Sequence, residues 1–120
     1  MSKQRAAALI VLSLWLYSLP LFADDQNPEI DYLLSTIGSS ECMFIRNGKR
    51  HSAEKAEEHL RMKYKRGRRY ATSTEAFIER LASKSSMTRK LYMMECPGAE
   101  PEPTGAWLRQ RLEEFRRSKA

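Results

Sequence analysis

Cys42-Met43-Phe44-Ile45-Arg46-Asn47-Gly48 is a short apolar run that opens on a cysteine and ends on a pair of residues tolerant of positive φ. That pattern predicts a strand over 42–46 closed by a tight turn. Its counterpart lies far along the chain, where Leu91-Tyr92-Met93-Met94-Glu95-Cys96 reads as a second strand closed by Pro97-Gly98. Cys42 opens one strand and Cys96 closes the other, so an antiparallel pairing brings the two cysteines face to face. Antiparallel partners keep a constant sum of residue numbers, which then sets Phe44 opposite Met94 and Arg46 opposite Tyr92.

Helical periods fill the chain around these strands. Ile30, Leu33, Leu34 and Ile37 recur at helical spacing after Asn27-Pro28 and predict a helix over 29–38. Ser52 can cap a helix from Ala53 to about Lys65, with Ala53, Ala56, Leu60 and Tyr64 along one stripe and Gly67 as its stop. Thr72 and Glu75 have the spacing of a capping box ahead of Phe77, Ile78, Leu81 and Ala82, which predicts a helix ending near Ser83. Ser85 to Thr88 reads as a loop, and Pro101 and Pro103 mark an extended surface linker. Thr104 can cap a last helix in which Leu108, Leu112 and Phe115 share a face beside Trp107, with Arg116, Arg117 and Lys119 at its negative pole. The expectation is an α+β domain over 24–120, with about four short helices and a two-stranded antiparallel sheet.

The first 23 residues hold no carboxylate, begin with Lys3 and Arg5, and continue as an apolar block from Ala6 to Leu16 broken only by Ser13. Pro20 then breaks a leader helix, and Leu21-Phe22-Ala23 precedes acidic Asp24-Asp25, the pattern of a secretory signal peptide cut after Ala23. The address is therefore periplasmic or secreted, and in that oxidising compartment the two cysteines are expected to be bridged. A free thiol with His51 or His59 as its base would need a thiolate kept reduced there. The whole chain has 120 residues, 42% hydrophobic and 30% charged, with a formal charge of +6, enough for one domain, and with only one stretch apolar enough to enter a bilayer it is not a polytopic membrane protein.

Phe44-Ile45-Arg46-Asn47-Gly48, then Ala56, His59-Leu60-Arg61 and Lys63, then Thr74-Glu75-Ala76-Phe77-Ile78 resemble the YfeK-like family of short exported bacterial proteins. The likeness covers residues 42–96. It implies a periplasmic address and a small domain, in a family with no assigned activity, ligand or catalytic residues. Where the family pattern reads Ser-Gly-Lys-Pro-Tyr, this chain has Thr88-Arg89-Lys90-Leu91-Tyr92, which lacks both the Gly and the Pro.

Lys63-Tyr64-Lys65-Arg66-Gly67-Arg68-Arg69-Tyr70 packs five cations and two tyrosines into eight residues. Lys63, Lys65, Arg66, Arg68 and Arg69 are candidates for an anion-binding surface, to be weighed against a solvated helix end. The leader removes nucleic acid as the ordinary partner and points to an anionic envelope component, whether lipid, phosphorylated glycan or acidic protein. Arg46 and Asn47 form a second candidate, a recognition turn, although Asn-Gly mostly serves the backbone. His59 lies beside the Ala56, Leu60 stripe, where a hydrogen bond at the border of the core is the plain expectation.

Catalytic patterns are weaker. Ser52-Ala53-Glu54-Lys55 matches a Ser-x-x-Lys motif but lacks the other motifs of those enzymes, so it reads as a helix cap. His51 and His59 lack the tight spacing of a zinc helix, and no metal or other cofactor is implied. The reading is a non-catalytic binding or envelope-associated domain. Its rival is a small hydrolase using His59 with a hydroxyl from loop 83–88, for which spacing alone assembles no base, nucleophile and orienting acid. The leader chemistry makes one direct prediction: protein recovered from the envelope fraction should begin at Asp24 by intact mass, and a full-length chain retaining Met1 in the inner membrane would overturn it.

Overall fold

Asn27 opens the first helix by accepting hydrogen bonds from the Glu29 and Ile30 amides, and Pro28 occupies the first turn, where a missing N–H costs nothing. The computed structural model describes residues 27–120, so the signal peptide expected over 1–23 lies outside the described residues. Helix α1 runs Pro28–Gly38 and buries Ile30, Leu33, Leu34 and Ile37. Strand β1 (Met43–Arg46) turns through Asn47 and Gly48 into β2 (Lys49–His51). Asn47 and Gly48 take φ of 51° and 80°, the positive values that a two-residue hairpin turn demands.

Helix α2 (Ala53–Arg66) starts on Ser52, whose side chain accepts from the Lys55 amide, and it stops at Gly67. A single 3-10 turn over Arg68–Tyr70 leads to α3 (Thr74–Arg80). Strand β3 (Met93–Glu95) is followed by β4 (Glu102–Pro103) and by α4 (Thr104–Lys119). The sheet is antiparallel throughout, in the order β2-β1-β3-β4.

The α+β class therefore stands, but the sheet has four strands where two were expected. The strand expected over 42–46 continues past its turn because Arg46 pairs with Lys49, Ile45 with Arg50 and Phe44 with His51. Lys49-Arg50-His51 carries no apolar alternation, so nothing in its hydropathy marked it as a strand. The expected linker at Pro101 and Pro103 closes the sheet as its other edge, with Glu102 opposite Met94 and Pro103 opposite Met93. An edge position is where a strand can carry a residue without an N–H.

Two helix starts also differ. Ser73, not Thr72, caps α3 by accepting from the Ala76 amide, and the helix ends at Arg80 rather than Ser83. Thr104 does not cap α4: its hydroxyl is buried without a partner, and its amide donates to the Tyr92 carbonyl at 2.9 Å. The pairing of β4 with β3 takes this residue into the interior.

The core lies between one face of the sheet and the helices. Phe44 and Met94 point into it from paired positions on β1 and β3, and Leu33, Leu60, Phe77, Ile78, Trp107 and Leu108 meet them. Tyr64 turns inward as expected, its ring edge-on to Phe77 at 5.5 Å between centroids. The ends of three helices are clamped by Arg116, which donates to both carboxylate oxygens of Glu29 at 2.7 and 2.9 Å and to Glu75 at 2.7 Å. This sets carboxylates in the first turns of α1 and α3 against a cation in the last turn of α4, each suited to its helix pole. The Arg116 guanidinium, helped by the Thr74 hydroxyl, holds the Glu29 carboxyl down at about 2.

Cys42 and Cys96 are bridged, with Cα atoms 4.1 Å apart and 54 residues between them in sequence. The bridge continues the β1–β3 register, in which Met43 faces Glu95 and Phe44 faces Met94. Closing a loop of this length contributes roughly 4 kcal/mol in the chain-entropy account. Replacing both cysteines with serine should lower the unfolding free energy by about that amount in urea titration. A double variant as stable as the parent would show that the strand pairing needs no covalent help.

Candidate functional site

Helix α2 divides into three stripes. Ala56, Leu60 and Tyr64 face the core. Glu57 and Arg61 face α1, where Arg61 bonds Glu57 at 2.8 Å, Asp31 at 3.0 Å and the Ser35 hydroxyl at 3.0 Å, an ion-pair network that ties the two helices. Lys55, His59, the neighbouring pair Met62 and Lys63, and Arg66 follow one another at about one helical turn on the third side and line two adjoining depressions, which share Met62.

The first depression is a cleft of about 280 Å³ between the β1–β2 hairpin and α2, lined by Phe44, Arg46, His51, Lys55, His59 and Met62 among others. Phe44 and His51 are directly opposed across the hairpin and so share the inward face. Extending the β1–β3 register by one pair brings Arg46 level with Tyr92 on that face, as the sequence predicts. Tyr92 is buried, its ring 5.0 Å from Phe44 between centroids. Its hydroxyl receives a hydrogen bond from Lys63 Nζ at 3.0 Å and lies 3.4 Å from His59 Nε2. Lys63 also donates to the Lys84 carbonyl at 3.1 Å.

Burial pushes each titratable neighbour toward its neutral form, and the charge of Arg46 adds to this for the two histidines and Lys63 but opposes it for Tyr92. His59 is held down to about 4, mainly by desolvation and further by Arg46, Lys63 and His51. Lys63 falls to about 8, by desolvation and then Arg46. His51 is lowered by desolvation, Arg46 and Lys49, whereas burial raises Tyr92 against the opposing pull of Arg46.

The second depression is a groove of about 810 Å³ between the end of α2, the end of α3 and the loop over 84–89. Lys63, Arg66, Arg80, Lys84 and Arg89 surround it against the one carboxylate of Glu79, with Met62, Tyr70 and Leu81 as apolar surface. Arg89 takes a φ of 66° at the position where the resembled pattern has Gly, so a long cationic side chain occupies a backbone conformation that disfavours it. Ser85 anchors the loop by accepting from the Met87 and Thr88 amides, and Thr88 donates to the Asn47 side chain at 2.6 Å. Asn47 thus serves the hairpin turn and ties the loop to it.

The five cations of the 63–69 segment do not gather on one surface. Lys63 turns into the polar cluster and Arg66 into the groove. Lys65 and Arg68 border a separate hollow beside α1 with Asp31 and Arg61, and the Arg68 guanidinium lies over the Tyr64 ring. Arg69 packs on Tyr70 and bonds its hydroxyl. A helix repeat of 3.6 residues, followed by the 3-10 turn, spreads neighbouring positions around the axis.

Lys84 and Arg89 join the site without having been singled out in the sequence, which offers His51 only as a thiol base or metal ligand and Tyr92 only as the partner of Arg46 in the register. For His51 the signal was available: a two-residue Asn47-Gly48 turn sets residue 51 opposite Phe44 by counting alone. His59 finds its partner in Tyr92 rather than in a hydroxyl of loop 83–88, since Ser83 donates to the Ile78 carbonyl and Ser85 and Thr88 are engaged as above. Heteronuclear NMR titration should find the His59 ring neutral across pH 5–8 and the Lys63 amine titrating near 8. A His59 midpoint near its solution value of about 6.5 would put the ring in water and remove this account of the cluster.

Comparison with known proteins agrees with the resemblance noted in the sequence. The family described as "Family of unknown function (DUF5329)" matches residues 24–116. The uncharacterized protein YfeK of Salmonella typhimurium is 33% identical over 94 residues, covering 75% of this chain and 76% of that protein. No solved structure matches.

Proposed function

This chain belongs to the family of unknown function DUF5329, and we propose that it is a non-catalytic binding domain of the bacterial envelope whose basic groove receives an acidic polypeptide segment. One observation carries the reading: Arg66, Lys84 and Arg89 make no ion pair among the described residues, yet they surround a concave apolar floor beside a single carboxylate. Charge around such a floor suits a segment that presents both carboxylates and apolar side chains. Concavity favours a polypeptide over a flat lipid surface, because Lys65 and Arg68 stand on another side of the helix and cannot meet the same plane.

The leader sequence and the Cys42–Cys96 bridge support an exported address. Among the described residues no helix is long and apolar enough to cross a membrane. The non-catalytic reading rests on the engagement of His59 with Tyr92 and of the Ser83, Ser85 and Thr88 hydroxyls with backbone and Asn47.

Fluorescence anisotropy with a labelled Glu- and Leu-containing peptide tests the groove. R66E with K84E should weaken binding by about tenfold or more at low salt, and raising salt should weaken the parent in the same direction. K65E, on the other side of α2, should change little. R89G should bind more weakly while melting no lower than the parent, because it relieves the positive φ as it removes the charge. Equal losses from K65E and from the groove variant, or binding to anionic vesicles that the groove variant leaves intact, would overturn the reading.

A further inference from the structure

Among the described residues, Arg46 is the cation whose surroundings are hardest to explain by folding alone. It is half-buried at the end of β1 beside the Asn47-Gly48 turn, its Nε is buried without a hydrogen-bond partner, and no carboxylate pairs with it among the described residues. The Nε2 of His51, one strand away on the same cleft, is likewise buried and unpartnered. Around them stand His59, Lys63 and the Tyr92 hydroxyl, each close enough for Arg46 to shift its titration. The one carboxylate on the cleft, Glu58, is exposed and faces Lys55 at 3.6 Å.

A desolvated guanidinium N–H without an acceptor is unfavourable, and a partly buried guanidinium with no carboxylate of its own is more so. A fold that retains both has the signature of a site completed by an anion. The donors approach from three elements: Arg46 from β1, His51 from β2 and Lys55 from α2. A planar carboxylate is met along its own plane, whereas a tetrahedral phosphoryl group offers oxygens in three directions, and a guanidinium fork matches two of them. Phe44, Ala56 and Met62 supply an apolar wall beside the cationic end.

We propose that the cleft between the β1–β2 hairpin and α2 is a phosphate seat, anchored by Arg46 with His51 and Lys55 as further donors, for free phosphate or for the phosphoryl end of a small monoester. It is distinct from the acidic-segment groove and does not rest on it. The apolar wall gives an ester the advantage, since the free anion leaves that surface exposed.

Isothermal titration of the disulfide-bonded protein with inorganic phosphate and with phenyl phosphate tests the seat. Saturable binding is expected for both. R46Q should weaken each by about tenfold or more and, without phosphate, should melt no lower than the parent, because it removes an unpaired cation. R46K, which keeps the charge but loses the fork, should fall between the two. Tighter phenyl phosphate would identify the ester as the preferred source, and equal affinities would identify the free ion. R66E with K84E should retain phosphate binding, so a failed groove and a failed seat give different results. No saturable binding by the parent, or binding unchanged in R46Q while that variant remains folded, would overturn the proposal.

Discussion

The pairing of β1 with β3 is the contact on which the rest of the molecule depends. It joins segments about fifty residues apart, and the Cys42–Cys96 bridge holds the same register at its end. That register sends Phe44 and Met94 into the core and brings Arg46 level with Tyr92. Tyr92 then connects to everything nearby: its amide donates to the Ser83 carbonyl, its carbonyl accepts from the Thr104 amide, and its hydroxyl receives Lys63. A one-residue slip would reverse the faces, exposing Phe44 and removing Arg46 from the cleft in one step.

Helix α2 shows how a single element serves stability and recognition together. Its core stripe buries Ala56 and Leu60, its α1-facing stripe spends Glu57 and Arg61 on helix-to-helix bonds, and its third stripe lines the cleft and the groove. Gly38 lies where α1 ends against this helix, and a Cβ there would have to push the Glu57 side chain aside. The stripes are separable because a helix turns about 100° per residue, which returns positions three and four apart to the same side.

The charge distribution follows the same division. Glu29 and Glu75 are engaged by Arg116, Glu57 and Asp31 by Arg61, and Glu95 by Arg50 on the sheet. These carboxylates stabilise contacts between elements and are not available to the cleft or the groove. Arg46, Lys63, Arg66, Lys84 and Arg89 are left on the other side of α2 with little compensation. A modest net charge thereby becomes a strongly cationic local surface, which is where an anionic ligand gains most.

The sequence by itself determined what depends on neighbouring residues or on simple counting: the Ser52 cap and Gly67 stop of α2, the apolar stripes of α1 and α4, the Asn47-Gly48 turn, and the bridge with its register. Each follows from a local backbone preference or a fixed period. Only the tertiary structure decided that the sheet has four strands, because Lys49-Arg50-His51 and Glu102-Pro103 are edge strands held by hydrogen bonds to a neighbour rather than by a hydrophobic alternation of their own. It also decided which cations meet. The 63–69 run looks like one patch in the chain and is dispersed by the helical turn, whereas His51 and His59 look unrelated to the Arg46–Tyr92 pair and are gathered to it by the hairpin and the packing of α2. Charge carries no period that reveals its partner, so the position of one charge relative to another is fixed only when elements distant in sequence pack.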